Sequence, residues 1–328
     1  MDIGLALPQY DFLSAEPGVL GWAPIERTAR RAEDLGFASL WLSDHLFLDR
    51  RRYGGPPGRC PGLDPLPALA AVARVTSRVR LGPLTLCAPF RPATVTAKQL
   101  ATLDNVSGGR LVVGIGAGWY EEEFAVAGIP FRRPGERLVQ LEEAVRVLRG
   151  MFEGGPFTFD GRYERAVAAR CLPTPLQRPG PPIWVGGKGD RLLDLVARVA
   201  DGWNTVWVWT PDTYRERLDV LRAACDRAGR DPATVTKSLG LYALVGEDEA
   251  DLARRFERLR TESLGALDGK TLDEYRRGRL VGTVDQVHEQ VEEWASLGVS
   301  TIVVSPRPLP FTEPDDDDLA MIALACRV

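Results

Sequence analysis

Short apolar runs alternate with longer stretches of helical periodicity along almost the whole chain. The runs DIGLALP (2–8), SLWLS (39–43), RLGPLTL (80–86), RLVVGIG (110–116), PIWVGG (182–187), GWNTV (202–206), SLGLYALV (238–245) and STIVVS (300–305) predict eight buried strands. Helical patterns lie between them: one opens near Pro24, one covers 65–76 and another 96–107. In a longer one, Leu138, Leu141, Val145 and Leu148 recur at spacings of three and four. A further helix has a clear start, because Thr283 and Gln286 carry capping-box spacing ahead of the apolar face Val284, Val287, Val291 and Trp294. Strands separated by helices pair in parallel through right-handed crossovers. Eight such repeats predict an α/β fold, a closed (β/α)8 TIM barrel forming a single domain over 1–328. The stretches 44–64, 153–181 and 264–280 fit neither period and read as insertion loops. In such a barrel, the loops that follow strands gather at the C-terminal face, where chemistry sits.

Composition narrows the function classes. With 45% hydrophobic and 26% charged residues, the chain has the make-up of a soluble globular protein. The net charge is −4, and Arg50 to Arg52 form the one tight basic run, which is too little for a nucleic-acid footprint. The acidic run Asp315 to Asp318 suits the start of a final helix, where the helix dipole favours negative charge. Cys60, Cys87, Cys171, Cys225 and Cys326 are scattered and form no CxxC pair, so neither a disulfide framework nor a metal site is expected. The first residues lack a basic leader pattern, and no apolar run approaches the ~20 residues that span a bilayer. A cytoplasmic protein acting on a small molecule, without a membrane or nucleic-acid partner, is expected.

Four stretches carry candidate chemistry. LWLSDHLF (40–47) ends the second strand with Asp44 and His45, and the chain has only two histidines. An imidazole at a strand end can pass a proton near neutral pH, whereas the bland reading is a pair that fixes the loop. VGIGAGWYEEEF (113–124) follows strand four; its glycines admit a flat ligand or another backbone, and Trp119 stands where a substrate would pass. Glu122 and Glu123 read more readily as partners of Arg137 than as catalytic acids. VGGKGD (185–190) frees the backbone before a helix and adds Lys188, which suits an anion; the simple alternative is a turn with Asp190 as N-cap. GWNTVWVW (202–209) places Trp203, Trp207 and Trp209 in and just past strand six; aromatics beyond the strand end could wall a ligand, and core packing explains Trp203 at least as well. His288 lies off the apolar face of its helix and reads as a surface residue.

Taken in order, LGFASLWLSDH, RVRLGPLTL, TAKQLATLDNVSGGRLVVGIGAGWYEEEF, GIPFRRPGERL, PPIWVGG, VADGWN and GTVDQV resemble the bacterial luciferase-like oxidoreductases, and more narrowly their deazaflavin-dependent branch. The resemblance implies a (β/α)8 barrel, usually a homodimer, that binds a flavin-type ring at the C-terminal face. It implies a hydride transfer between coenzyme F420 and an organic substrate, with His45 as acid/base beside Asp44. It implies a cis peptide at Leu84–Thr85 behind the ring and cofactor contacts from Gly116, Ala117 and Gly118. It also implies a phosphate site at Gly186, Gly187, Lys188 and Gly189, and substrate contacts from Trp119 and Trp207. Relatives that act on sugar phosphates carry a glutamate where this chain has Trp119, which turns the expectation toward an apolar or aromatic substrate. An FMN-dependent monooxygenase served by a separate reductase, and a non-catalytic barrel that only binds the cofactor, are the alternatives.

Overall fold

The computed structural model describes residues 1–12, 14, 18–307 and 309–327. In chain order the first elements are β1 (Asp2–Ala6), α1 (Trp22–Leu35), β2 (Ser39–Leu42), β3 (Phe47–Asp49), β4 (Arg59–Pro61), α2 (Pro65–Val75), β5 (Arg80–Pro83) and β6 (Leu86–Cys87). They are followed by α3 (Ala93–Ser107), β7 (Val113–Gly116), α4 (Glu121–Ala127), α5 (Pro134–Phe152), β8 (Phe157–Asp160), β9 (Arg165–Ala169), β10 (Ile183–Gly186) and α6 (Asp190–Val199). The remainder is β11 (Gly202–Trp207), α7 (Pro211–Ala228), β12 (Thr236–Gly246), α8 (Glu249–Glu262), α9 (Leu272–Arg276), β13 (Leu280–Thr283), α10 (Val284–Ser296), β14 (Thr301–Ser305) and α11 (Asp316–Cys326).

All eight expected strands are present, but RLGPLTL is divided into β5 and β6 around Leu84 and Thr85. The three stretches expected to be irregular are partly ordered. The hairpin β3–β4 lies in the first, the hairpin β8–β9 in the second and α9 in the third. β13 is an addition that the periodicity does not reveal, because four residues are too few to show a pattern.

The chain forms two compact units. One comprises Met1–Asp64, Thr205–Glu216 and Lys237–Val328. Its parallel sheet runs β2-β1-β14-β12-β13, with Leu5 opposite both Leu40 and Val304. Consecutive residues Ile3–Ala6, Ser39–Leu42 and Thr301–Ser305 are all buried, so these strands are covered on both faces, as parallel sheets are. α1 packs through Ile25, Thr28, Ala29 and Ala32, a stripe of period 3.6, and stops where Gly36 turns left-handed. α10 opens on the expected box between Thr283 and Gln286, and Asp315 caps α11.

The other unit comprises Pro65–Asn204 and Arg217–Thr236. Its parallel strands run β6-β7-β10-β11, and Leu81 of β5 bridges Leu111. α5 buries Leu141, Val145 and Leu148, three members of the predicted stripe, while Leu138 is only half-buried. All five cysteines are buried and free of disulfides. Among the described residues no helix is long and apolar enough to cross a membrane.

Candidate active site

β2 delivers Ser43, Asp44 and His45 at its carboxyl end. Asp44 is 5% exposed, and His45 is half-buried. The residue before them is held from several sides. Gln9 Nε2 donates to the Ser43 carbonyl (2.8 Å) and the Leu63 carbonyl (2.8 Å). Gln9 Oε1 accepts from the Ser43 amide (2.8 Å) and from Ser43 Oγ (3.0 Å). The Tyr10 hydroxyl lies 2.7 Å from the same Oγ. The loop that follows β2 is braced by its own charges. Arg50 is buried and donates to the Ser14 carbonyl (2.6 Å), and Arg51 pairs with Asp49 (2.5 Å). The hydrogen bond from Arg51 draws the Asp49 carboxyl down from 3.8 to about 2.

An aromatic wall stands in the same unit, built from Trp207 of β11, Tyr242 of β12 and neighbouring loop residues. Trp207 stacks on Tyr242 with ring centres 5.4 Å apart, and Phe311 meets Trp207 edge-on at 5.6 Å. Tyr10 and Phe12 continue the row toward Tyr53. Arg279 lies over Tyr242 and Tyr275. Burial holds the Tyr242 phenol protonated well above its ordinary range. Trp207 itself follows a cis peptide bond, Val206–Trp207.

In the other unit, the Leu84–Thr85 peptide is cis, as the resemblance leads one to expect. The glycines around it have a local explanation. A Cβ on Gly114 would sit 2.2 Å from the Pro83 carbonyl oxygen, one on Gly116 2.9 Å from Thr85 Oγ1, and one on Gly186 2.8 Å from Thr85 Cγ2. These three strand glycines therefore make room for Pro83 and Thr85 where the chain passes from β5 to β6, so close approach of a neighbouring segment accounts for them. Gly118 turns left-handed (φ 76°) with Phe124 and Cys87 at its back, which leaves Ala117 and Trp119 on a tight bend. Trp119 is 52% exposed and stacks on Tyr120.

The turn after β10 is built differently. Gly187 has φ 142° and donates to the Asn204 carbonyl, while its own carbonyl accepts from Trp203 Nε1 at 2.7 Å. Trp203 is fully buried and belongs to the core. Gly189, not Asp190, is the N-cap of α6; Asp190 is its first residue and pairs with Arg217 at 2.7 Å. Among the described residues, the amides of Lys188, Gly189, Asp190 and Arg191 donate to no protein acceptor. Lys188 is exposed, and no atom lies within 4 Å of a Cβ built on Gly189. Four open donors beside one ammonium give this turn a positive character.

Other expectations need correcting. Arg137 does not pair with Glu122 or Glu123. Its guanidinium lies 4.0 Å over Phe131 and donates to the Arg132 carbonyl, and Glu122 instead accepts from the Tyr120 hydroxyl (3.2 Å). Glu123 is only 1% exposed. His288 is no open surface residue, because its side chain is 19% exposed and lies 3.2 Å from Glu292. Gln9, Tyr10, Tyr242 and Phe311 join the site without a motif to mark them. Gln9 and Tyr10 gave one available signal, polar residues directly after the first strand.

The model of the luciferase-like monooxygenase family matches residues 1–301, and the chain belongs to that family. The F420-dependent hydroxymycolic acid dehydrogenase of Mycobacterium tuberculosis (strain ATCC 25618 / H37Rv) is 31% identical over 304 residues, covering 90% of this chain and 80% of the relative. The FMNH(2)-dependent dimethylsulfone monooxygenase of Pseudomonas putida is 36% identical over 265 residues, covering 71% and 70%. A solved F420-dependent secondary alcohol dehydrogenase matches with a TM-score of 0.79 at 20% identity, over 99% of this chain and 98% of that one. The fold is therefore that of the luciferase-like (β/α)8 barrels.

Proposed function

We propose that the protein is an oxidoreductase that moves a hydride between coenzyme F420 and an organic substrate. The observation that carries this reading is the Asp44–His45 pair at the carboxyl end of β2, with Asp44 buried and His45 half-buried. Converting an alcohol to a carbonyl releases a hydride from carbon and a proton from oxygen, and the proton needs an acceptor. Imidazole is the side chain suited to take and return it. His45 would hold that proton, and Asp44 would orient the ring and favour its charged form.

The residues present fit an anionic, flavin-type cofactor. The open amides of Lys188 to Arg191, the empty space at Gly189 and the Lys188 ammonium would hold its phosphate. Gly186 and Gly187 shape that turn, the cis Leu84–Thr85 segment would back the ring, and Gly116, Ala117 and Gly118 would line its edge. When bound, the deazaflavin would supply the carbon that gives or takes the hydride. Trp119 and Trp207 would meet the substrate. With Tyr242 and Phe311 packed around Trp207, an apolar or aromatic substrate fits better than a sugar phosphate.

A second reading, an FMN-dependent monooxygenase, is favoured by the 36% identity to the Pseudomonas putida enzyme. Titrating F420 and FMN side by side separates the two. The deazaflavin reading expects micromolar or tighter F420 binding, about 8 kcal/mol, and FMN at least about tenfold weaker. A panel of secondary alcohols and ketones should then turn over, and His45→Ala should slow turnover by about 100-fold with cofactor affinity unchanged. Tighter FMN binding with substrate-dependent oxygen uptake would replace this reading by the monooxygenase. Binding without any turnover would leave a cofactor carrier.

A further inference from the structure

We propose that Gln9 is the positioning residue of the Asp44–His45 pair, a role that deepens the reading above and rests on it. The main-chain ladder between β1 and β2 pairs Ala6 with Trp41, and the Leu7 amide still reaches the Trp41 carbonyl (2.9 Å). The next rung belongs to Ser43. A regular parallel ladder would bond the Ser43 carbonyl to the backbone amide of Gln9. That amide is diverted instead to the Phe311 carbonyl at 2.7 Å. The Gln9 side chain takes the vacant rung, since Nε2 reaches the Ser43 carbonyl and Oε1 receives the Ser43 amide, both at 2.8 Å.

Two features make this a clamp and not ordinary polar packing. The carboxamide can sit only one way round, because its nitrogen faces two carbonyls while its oxygen faces an amide and a hydroxyl. It also joins both ends of one excursion of the chain. Ser43 immediately precedes Asp44, and Leu63 lies where the loop returns toward α2. With the amide and the carbonyl of Ser43 both held, the peptide planes on its two sides are fixed, and the second of those planes contains the Asp44 nitrogen. Only the torsions of Asp44 then separate the clamp from His45. Gln9 is 0% exposed, so no water competes for these bonds. No other residue type does the same work. Met and Leu fill the space without donors, Asn is one methylene short, and ionised Glu would set an acceptor against two carbonyls.

Two histidines make the test direct. With histidine labelled at Cε1, the protein gives two imidazole signals, and His45→Ala assigns them. Gln9→Met should shift or broaden the His45 signal and leave that of His288 unmoved, while cofactor affinity stays within about threefold. Turnover of the alcohol and ketone panel should fall at least about tenfold. In the His45→Ala background the same change should cost less than about twofold more, because a residue that acts through His45 has nothing left to act on. If Gln9→Met does not fold, Gln9→Glu keeps the shape and serves in its place. An unmoved His45 signal in a folded variant overturns the proposal, and so do losses that multiply in the double variant. Full turnover by His45→Ala would sink the acid/base assignment instead, and the imidazole signal would still decide whether Gln9 sets the position of His45.

Discussion

Two glycines in the turn after β10 separate folding from binding. Gly187 has φ 142°, a conformation that L residues rarely adopt, and a Cβ there would lie 2.6 Å from Leu192 Cδ1. Gly187→Ala should therefore cost stability: about 1–3 kcal/mol for the backbone, with more from displacing a buried leucine. Gly189 has φ −77° and ψ 149°, which any residue adopts, and no atom lies within 4 Å of its Cβ. In Gly189→Ala, a few tenths of a kcal/mol gained in the unfolded chain should offset a similar loss of N-cap preference. Its melting temperature should stay within about 2 °C of wild type. The added methyl group nevertheless stands beside the open amides of Lys188 to Arg191. If a cofactor phosphate rests on them, Gly189→Ala should weaken F420 binding by about tenfold or more, equal to about 1.4 kcal/mol. Thermal unfolding and fluorescence titration on the same preparations give both numbers. Wild-type affinity in Gly189→Ala would move the phosphate elsewhere, and a fully stable Gly187→Ala would refute the steric argument.

Lys188→Ala removes one exposed charge and no packing, so it should weaken cofactor binding only a few-fold, more at low salt than at high. Equal loss at 20 and about 500 mM salt would show that the ammonium does not face the anion. Asp49 gives a pH signature. Its carboxyl is held near 2 in the fold against 3.8 ordinarily, so its stabilisation is complete above about pH 4 and is lost as pH falls toward 2. That difference would correspond to about 2 kcal/mol, but the Arg51 side chain is 58% exposed, so about 1 kcal/mol is expected for Asp49→Asn near neutrality. Denaturant unfolding of the two proteins should differ at pH 7 and converge toward pH 2; a gap that persists in acid would contradict the ion pair.

Periodicity made the fold legible because the strands of the two parallel sheets are largely buried on both faces. Runs such as SLWLS and STIVVS have no polar face to blur them. It failed where elements are short or paired antiparallel across a loop. β3–β4 comprises two three-residue strands, and β8 alternates half-buried and exposed positions, which looks like a loop. RLGPLTL reads as continuous because every residue after Arg80 is apolar or small; nothing in side-chain type announces that Leu84–Thr85 is cis.

The candidate site was legible in its polar members and hidden in its supports. Asp44, His45 and Lys188 stand out because charged groups at strand ends need a reason. Gln9 does not, because its role depends on a backbone amide turned toward Phe311, and that carbonyl lies 302 positions away in the chain. The same holds for the aromatic wall, whose rings come from positions 10, 207, 242 and 311. The glycines show the opposite error. A run such as GIGAG invites a ligand by composition, yet Gly114 and Gly116 are required first by the Pro83 carbonyl and the Thr85 side chain. Glycine at a strand end states only that something comes close. Whether that is a cofactor or the neighbouring strand is decided by the atoms close to the missing Cβ, and for Gly114, Gly116 and Gly186 those atoms belong to Pro83 and Thr85.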